Sequence, residues 1–131
     1  MLDVVTFLET IGIGKRMTDL FTAADLGAFK ERPLSILVQH VPGSQAPAVT
    51  EPVDYVAVTI AIAGAYGQVG EEAIHNKADE VYRALTLVLD ATINGTLYLS
   101  MRAVTSPAVA GQDENGRTVI EFNVEMMRYR G

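Results

Sequence analysis

Residues that could act as acids, bases, nucleophiles or metal ligands are sparse in this 131-residue chain, and they do not cluster. The two histidines, His40 and His75, lie far apart, and only His75 has a carboxylate one helical turn away, at Asp79. A single His/Asp pair falls short of the three or four ligands a zinc site takes. Its simpler reading is a solvated helix face, and that of His40 is the end of a strand. The serines at 35, 44, 100 and 106 lie outside any Gly-x-Ser-x-Gly elbow. Gly12-Ile13-Gly14-Lys15 looks like the end of a phosphate-binding loop, but it lacks the Gly-x4-Gly-Lys-Ser/Thr spacing and follows a helix rather than a strand. Asn94-Gly95-Thr96 is formally a glycosylation triplet, and reads here as a turn. Glu71/Glu72 and Asp113/Glu114 are adjacent carboxylates on polar segments, without the apolar surroundings that raise a pKa for acid catalysis. No catalytic residue, cofactor or metal site is expected, and a compact acidic domain without chemistry points to assembly.

Composition narrows the classes further. With 49% hydrophobic and 20% charged residues, the chain reads as globular, and its length suits one domain over 1–131. There is no cysteine, hence no disulfide or thiolate chemistry, which fits synthesis in a reducing cytoplasm. The formal charge is −6 and the ten Lys and Arg are dispersed, so the clustered cations that neutralise nucleic-acid phosphates are missing. Asp3 occupies the place of a basic signal-peptide n-region, so no secretory signal is expected. No apolar run approaches the ~18 residues of a membrane span, and no membrane association is expected.

The elements that must position these residues follow from hydrophobic period. Leu2, Val5 and Leu8, or Val4, Phe7 and Ile11, recur at helical spacing, and Gly12 and Gly14 end that helix. Asp19 to Phe29 is compatible with either a short helical turn or an ordered loop. A strand is expected from Pro33 to about Val41, followed by a long exposed loop from Pro42 to Asp54, which carries Pro42, Pro47 and Pro52. Tyr55 to Ala63 is the clearest strand. Val56, Val58, Ile60 and Ile62 share one face, and the small Ala57, Thr59, Ala61 and Ala63 share the other, so both faces should be covered. Ile74, Ala78, Val81, Leu85 and Val88 form one stripe and predict a helix over Gly70 to Asp90, with Glu71 and Glu72 favoured at its positive end. Asn94-Gly95 suits a tight hairpin turn. A strand with Leu97, Leu99, Met101 and Ala103 on one face follows, and Ser106-Pro107 breaks it. A second long loop spans Ser106 to Arg117. Thr118 to Arg128 closes the series, with Ile120, Phe122, Val124 and Met126 inward and Glu121, Asn123 and Glu125 outward.

The ordered set Ile93-Asn94-Gly95-Thr96-Leu97-Tyr98-Leu99, Ser106-Pro107, Gly111-Gln112-Asp113-Glu114-Asn115-Gly116-Arg117 and Ile120-Glu121-Phe122-Asn123-Val124-Glu125 with Arg128 resembles the bacteriophage tail terminator family, also described as minor capsid or tail-completion proteins. Ala78-x-Glu80-Val81-Tyr82-x-Ala84-Leu85 is similar to that family's long helix, and the opening helix ending in Gly12-Ile13-Gly14 fits it too. Relatives often carry bulky residues just after Ser-Pro, where this chain has Ala108 and Val109.

The resemblance implies an α+β single domain whose four- to five-stranded mixed or antiparallel sheet carries helices mainly on one side. It implies a virion protein, made in the host cytoplasm, that caps the tail tube as a ring, expected to be a hexamer, and presents a surface for the head. Its partners would be copies of itself, the tail-tube protein and a neck or head-completion protein, while DNA passes through without specific binding. Candidate assembly contacts are Pro42, Gln45, Pro47 and Thr50 in the first loop and Pro107, Asp113, Glu114, Asn115 and Arg117 in the second. Glu121 and Glu125, sharing a strand face, are candidate lumen or interface carboxylates. Alternatives are a head-completion or head–tail joining role, and a small cytoplasmic ligand-binding domain or enzyme.

Overall fold

The computed structural model describes residues 2–30, 32–41, 52–65, 70–113 and 116–129. Helix α1 spans Leu2–Thr10 and strand β1 Leu20–Thr22, followed by a 3-10 turn at Ala23–Asp25 and helix α2 at Leu26–Lys30. Then come β2 (Leu34–His40), β3 (Val53–Gly64), α3 (Glu71–Leu85), β4 (Val88–Ile93), β5 (Thr96–Ala103), β6 (Ala108–Gln112) and β7 (Thr118–Tyr129). All seven strands join one mixed sheet in the order β1-β2-β3-β7-β5-β4, with β6 also paired to β7. The class is α+β as expected, but among the described residues the sheet has seven strands where four to five are expected.

The centre of the sheet is the antiparallel pair of β3 and β7, which runs in unbroken register from Val53 opposite Tyr129 to Gly64 opposite Thr118. Val56, Val58, Ile60 and Ile62 of β3 and Ile120, Phe122, Val124 and Met126 of β7 fall on one face. There they meet Val4, Val5 and Leu8 of α1 and Ile74, Ala78, Val81 and Leu85 of α3. Burial of each large apolar side chain stabilises by roughly 1.5–3 kcal/mol, and this layer forms the main core. At the β2 end the opposite face is covered as well, because Ala61 and Ala63 leave room for Phe21, Leu37 and Phe29, the last from α2. The two longer helices thus share one side, while the short α2 caps the other.

Four expectations are corrected. The stripe that ran through Val88 belongs to two elements: α3 stops at Leu85, and Val88 joins the same core from β4. No glycine or proline marks the break; the hairpin recruits Val88 to Ile93 as the partner of β5. Second, a register shift between Tyr98 and Ser100 re-aims β5, so Tyr98 and Met101 face inward while Leu97 and Leu99 are only partly buried. Third, the segment read as one loop from Ser106 to Arg117 contains β6. Fourth, Asp19 to Phe29 is neither a lone turn nor a loop, but a short strand parallel to β2 followed by helical turns.

Two turns follow their sequence chemistry. Gly12 sits at φ +84°, and its N–H donates to the Glu9 carbonyl at 3.1 Å while that of Ile13 donates to Leu8 at 3.0 Å, a glycine-dependent helix stop. Asn94 and Gly95 sit at φ +51° and +79°, as a two-residue hairpin with the twist of its strands requires.

Candidate functional site

Alternation along β2, β3 and β7 leaves a polar row on the face away from α1 and α3. Gln39, Thr59 and Asn123 are in register across the three strands, and the Thr59 hydroxyl donates to Asn123 Oδ1 at 2.9 Å. Glu121 and Glu125 flank Asn123 on this face, Glu121 partly buried and Glu125 exposed. The structure brings these two carboxylates to one surface. An open trough runs beside Glu121, bounded by Gln39, His40, Thr59, Thr105 and Ser106.

β7 changes partners midway on this side. Its second half pairs with β5 from Val124 onward, and its first half pairs with β6 up to Glu121. Between them the Asn123 N–H donates to the Thr105 hydroxyl at 2.8 Å, and the Val104 N–H donates to the Asn123 carbonyl at 2.9 Å. Beyond that junction every residue of β6 is exposed. Pro107 and Val109 border a groove with His75 and Asp79 of α3. His75 faces Glu71 at 3.7 Å and Asp79 holds Arg83 at 2.9 Å, so the two side chains suggested as a pair have separate partners. Among the described residues, no group of three His, Asp or Glu could hold a metal ion, and no helix is long and apolar enough to cross a membrane.

Arg117 lies inside the subunit, at 3% exposure, instead of at the loop surface where a contact was expected. Its Nε donates to Asp113 Oδ2 at 2.8 Å, and one terminal nitrogen donates to the carbonyls of Phe29 and Arg32 at 2.8 and 2.9 Å and to the Ser35 hydroxyl at 3.1 Å. The guanidinium also stacks 4.6 Å from the Phe29 ring centre. Planar, multiply donating and permanently charged, it pins the β6–β7 turn to the α2–β2 junction. Asp113 is therefore the partner of Arg117. Pro42, Gln45, Pro47, Thr50, Glu114 and Asn115 lie outside the described residues.

Gly12-Ile13-Gly14-Lys15 has a purely local account. A Cβ on Gly14 would stand 2.8 Å from Leu20 Cγ, and the Lys15 N–H donates to the Asp19 carboxylate at 2.6 Å. The protein's own carboxylate thus occupies the donor a phosphate would need.

A polar cluster went unread in the sequence. The Tyr98 hydroxyl donates to Asp3, whose other oxygen accepts from Asn94 Nδ2 at 2.9 Å. Arg128, opposite Tyr98 on β7, donates to Asp54 at 3.1 Å. Burial, then the hydrogen bond and charge of Asp3, push the Tyr98 hydroxyl up to about 12, against a smaller opposing pull from Arg128. Residues of α1, β3, the hairpin turn, β5 and β7 meet here, up to 95 positions apart in a single hydrogen bond, and no local pattern announces such a meeting. Built around the buried Tyr98 and partly exposed at Asp3 and Asn94, the cluster fastens α1 to the hairpin.

A family model described as bacteriophage tail terminator protein matches residues 7–130, nearly the whole chain. No curated protein matches it. One solved chain aligns with a TM-score of 0.53 over 98% of this chain and 95% of its own, at 10% identity. At that identity the likeness concerns the fold.

Proposed function

Because the chain belongs to the bacteriophage tail terminator family, we propose that it ends growth of the tail tube by closing on its tip as a six-membered ring, and offers the surface on which the head docks. The family match over residues 7–130 carries the reading. The protein acts as a structural component of the virion, at the tail–neck boundary, and does so without catalysis. Its partners are further copies of itself, the tail-tube protein below and a neck protein above. A closed ring requires two different, mutually fitting surfaces on each subunit. The loop residues Pro42, Gln45, Pro47, Thr50, Glu114 and Asn115 belong to the contacts proposed here, with Pro107 and Asp113 beside them.

DNA passing through such a ring must not be held. The chain's −6 charge supports this, and so does the acidic face of Glu121 and Glu125, which we assign to the lumen or a subunit boundary; like charge disfavours adhesion to phosphate.

Electron microscopy of lysates from a phage with an amber stop in this gene tests the proposal. Overlong, headless tails are expected. Tails of normal length lying beside filled heads would move the protein to head–tail joining, and intact virions would remove both roles.

A further inference from the structure

Two strands of the sheet have a partner on one side only among the described residues, although α1 rests against β4. β4 pairs only with β5, and β6 only with β7. The third edge, β1, is closed differently: Leu20 and Phe21 are buried, and Arg16 bridges to Leu20. An open edge presents a row of unmade backbone hydrogen bonds, and monomeric proteins blunt such edges with lysine, proline or inward charge. Neither β4 nor β6 carries a lysine or a proline; each has one irregular step, at Asp90 (φ +52°) in β4 and between Val109 and Gly111 in β6, which leaves the rest of the edge extended. Both present apolar side chains to solvent instead: Leu89 at 62% exposure with Leu87 beside it at 59%, and Val109 at 58%.

We propose that β6 of one copy pairs with β4 of the next, continuing the sheet from subunit to subunit; the inference rests on the ring reading above and names the surface that closes it. The lengths agree, at five residues for β6 and six for β4. The two edges lie at opposite ends of β7, and strand twist turns the hydrogen-bonding direction at one end away from that at the other. The contact is therefore heterologous, the kind that generates rings. Its size sets its behaviour. Stable pairs bury about 800 Å² per partner, contributed by roughly 20–30 residues a side, several times what five paired residues supply. A single edge contact is too small to hold two free copies together, whereas closure on a tube tip makes each subunit's two contacts simultaneous and raises their effective concentration. Leu89 and Val109 then cover each other across the seam.

Absence of cysteine makes the test direct. Val109→Cys and Leu89→Cys are placed in the phage gene singly and together, and purified tails are treated with a short bismaleimide. The double variant is expected to give a ladder of covalent multimers on denaturing gels, and each single variant monomer alone. Dimers from Val109→Cys alone would mean that β6 pairs with itself, and would overturn the proposal. A second series covers the case in which the double variant does not enter tails. Val109→Lys and Leu89→Glu, each checked for the wild-type melting temperature, are expected to lower tail occupancy at least tenfold, and the combined variant to recover it. Occupancy unchanged in the single variants would overturn the pairing while leaving tail termination standing. Intact virions from a null allele would remove tail termination and the ring pairing with it, whereas unchanged occupancy in the single variants removes the pairing alone.

Discussion

At the scale of single residues, the most informative group is Tyr98. Its hydroxyl is buried against the Asp3 carboxylate, and its pKa is raised from 10.0 to about 12. A raised phenol pKa means that the folded state favours the protonated form. The stabilisation is therefore complete below pH 10, and it is lost as pH rises from 10 through 12. Two pKa units correspond to about 2.7 kcal/mol as an upper bound. Denaturation midpoints measured from pH 8 to 12 should show the wild type losing this increment over that window, while Tyr98→Phe, less stable at pH 8, keeps a flatter profile. Parallel profiles for the two proteins would show that the hydroxyl does not stay protonated in the fold.

At the scale of elements, Gly64 sets how closely α3 approaches the sheet. A Cβ there would stand 2.5 Å from Ile74 Cγ1 and 2.9 Å from its Cδ1, inside any allowed contact. Gly64→Ala should cost about 1–3 kcal/mol through overpacking, and Ile74→Ala about 2–5 kcal/mol through the cavity it leaves. In the double variant the new methyl enters part of that cavity, so the summed single losses should exceed the double loss by at least 0.5 kcal/mol in urea denaturation. Strict additivity would show that helix and strand do not meet there. The same elements show what the sequence made legible. α1, β2, β3, β7 and the Asn94-Gly95 turn follow from period and turn chemistry, because each is decided within a dozen residues. β4 was hidden because Val88 continues the helical stripe and only pairing with β5 draws it out of α3. β6 was hidden because Ala108-Val109-Ala110-Gly111 has no alternating pattern and is exposed on every residue. Of the candidate site, the shared face of Glu121 and Glu125 was readable from their spacing. The inward turn of Arg117 was not, since its partners at Phe29, Arg32 and Ser35 are fixed by tertiary structure.

At the scale of the whole molecule, the distribution of charge matters more than any one group. Glu121 and Glu125 stand on the sheet face opposite the two longer helices. If that face borders the DNA path, replacing both with lysine converts a repelling surface into one that neutralises phosphates. Tails carrying Glu121→Lys with Glu125→Lys should then eject DNA more slowly at low salt, and recover as added salt weakens phosphate contacts. Ejection at the wild-type rate across that range would place the two carboxylates away from the channel.

The long register between β3 and β7 also has a consequence in time. Residues 53–64 find their partners at 118–129, so the middle of the sheet is built from contacts distant in sequence, and such topologies fold slowly. β6 has no strand neighbour, and β5 only β4, until β7 has been synthesised. A chain still emerging from the ribosome therefore lacks the finished edge that would let it join a ring. On the ring reading proposed above, the order of synthesis would delay competence until the subunit is whole.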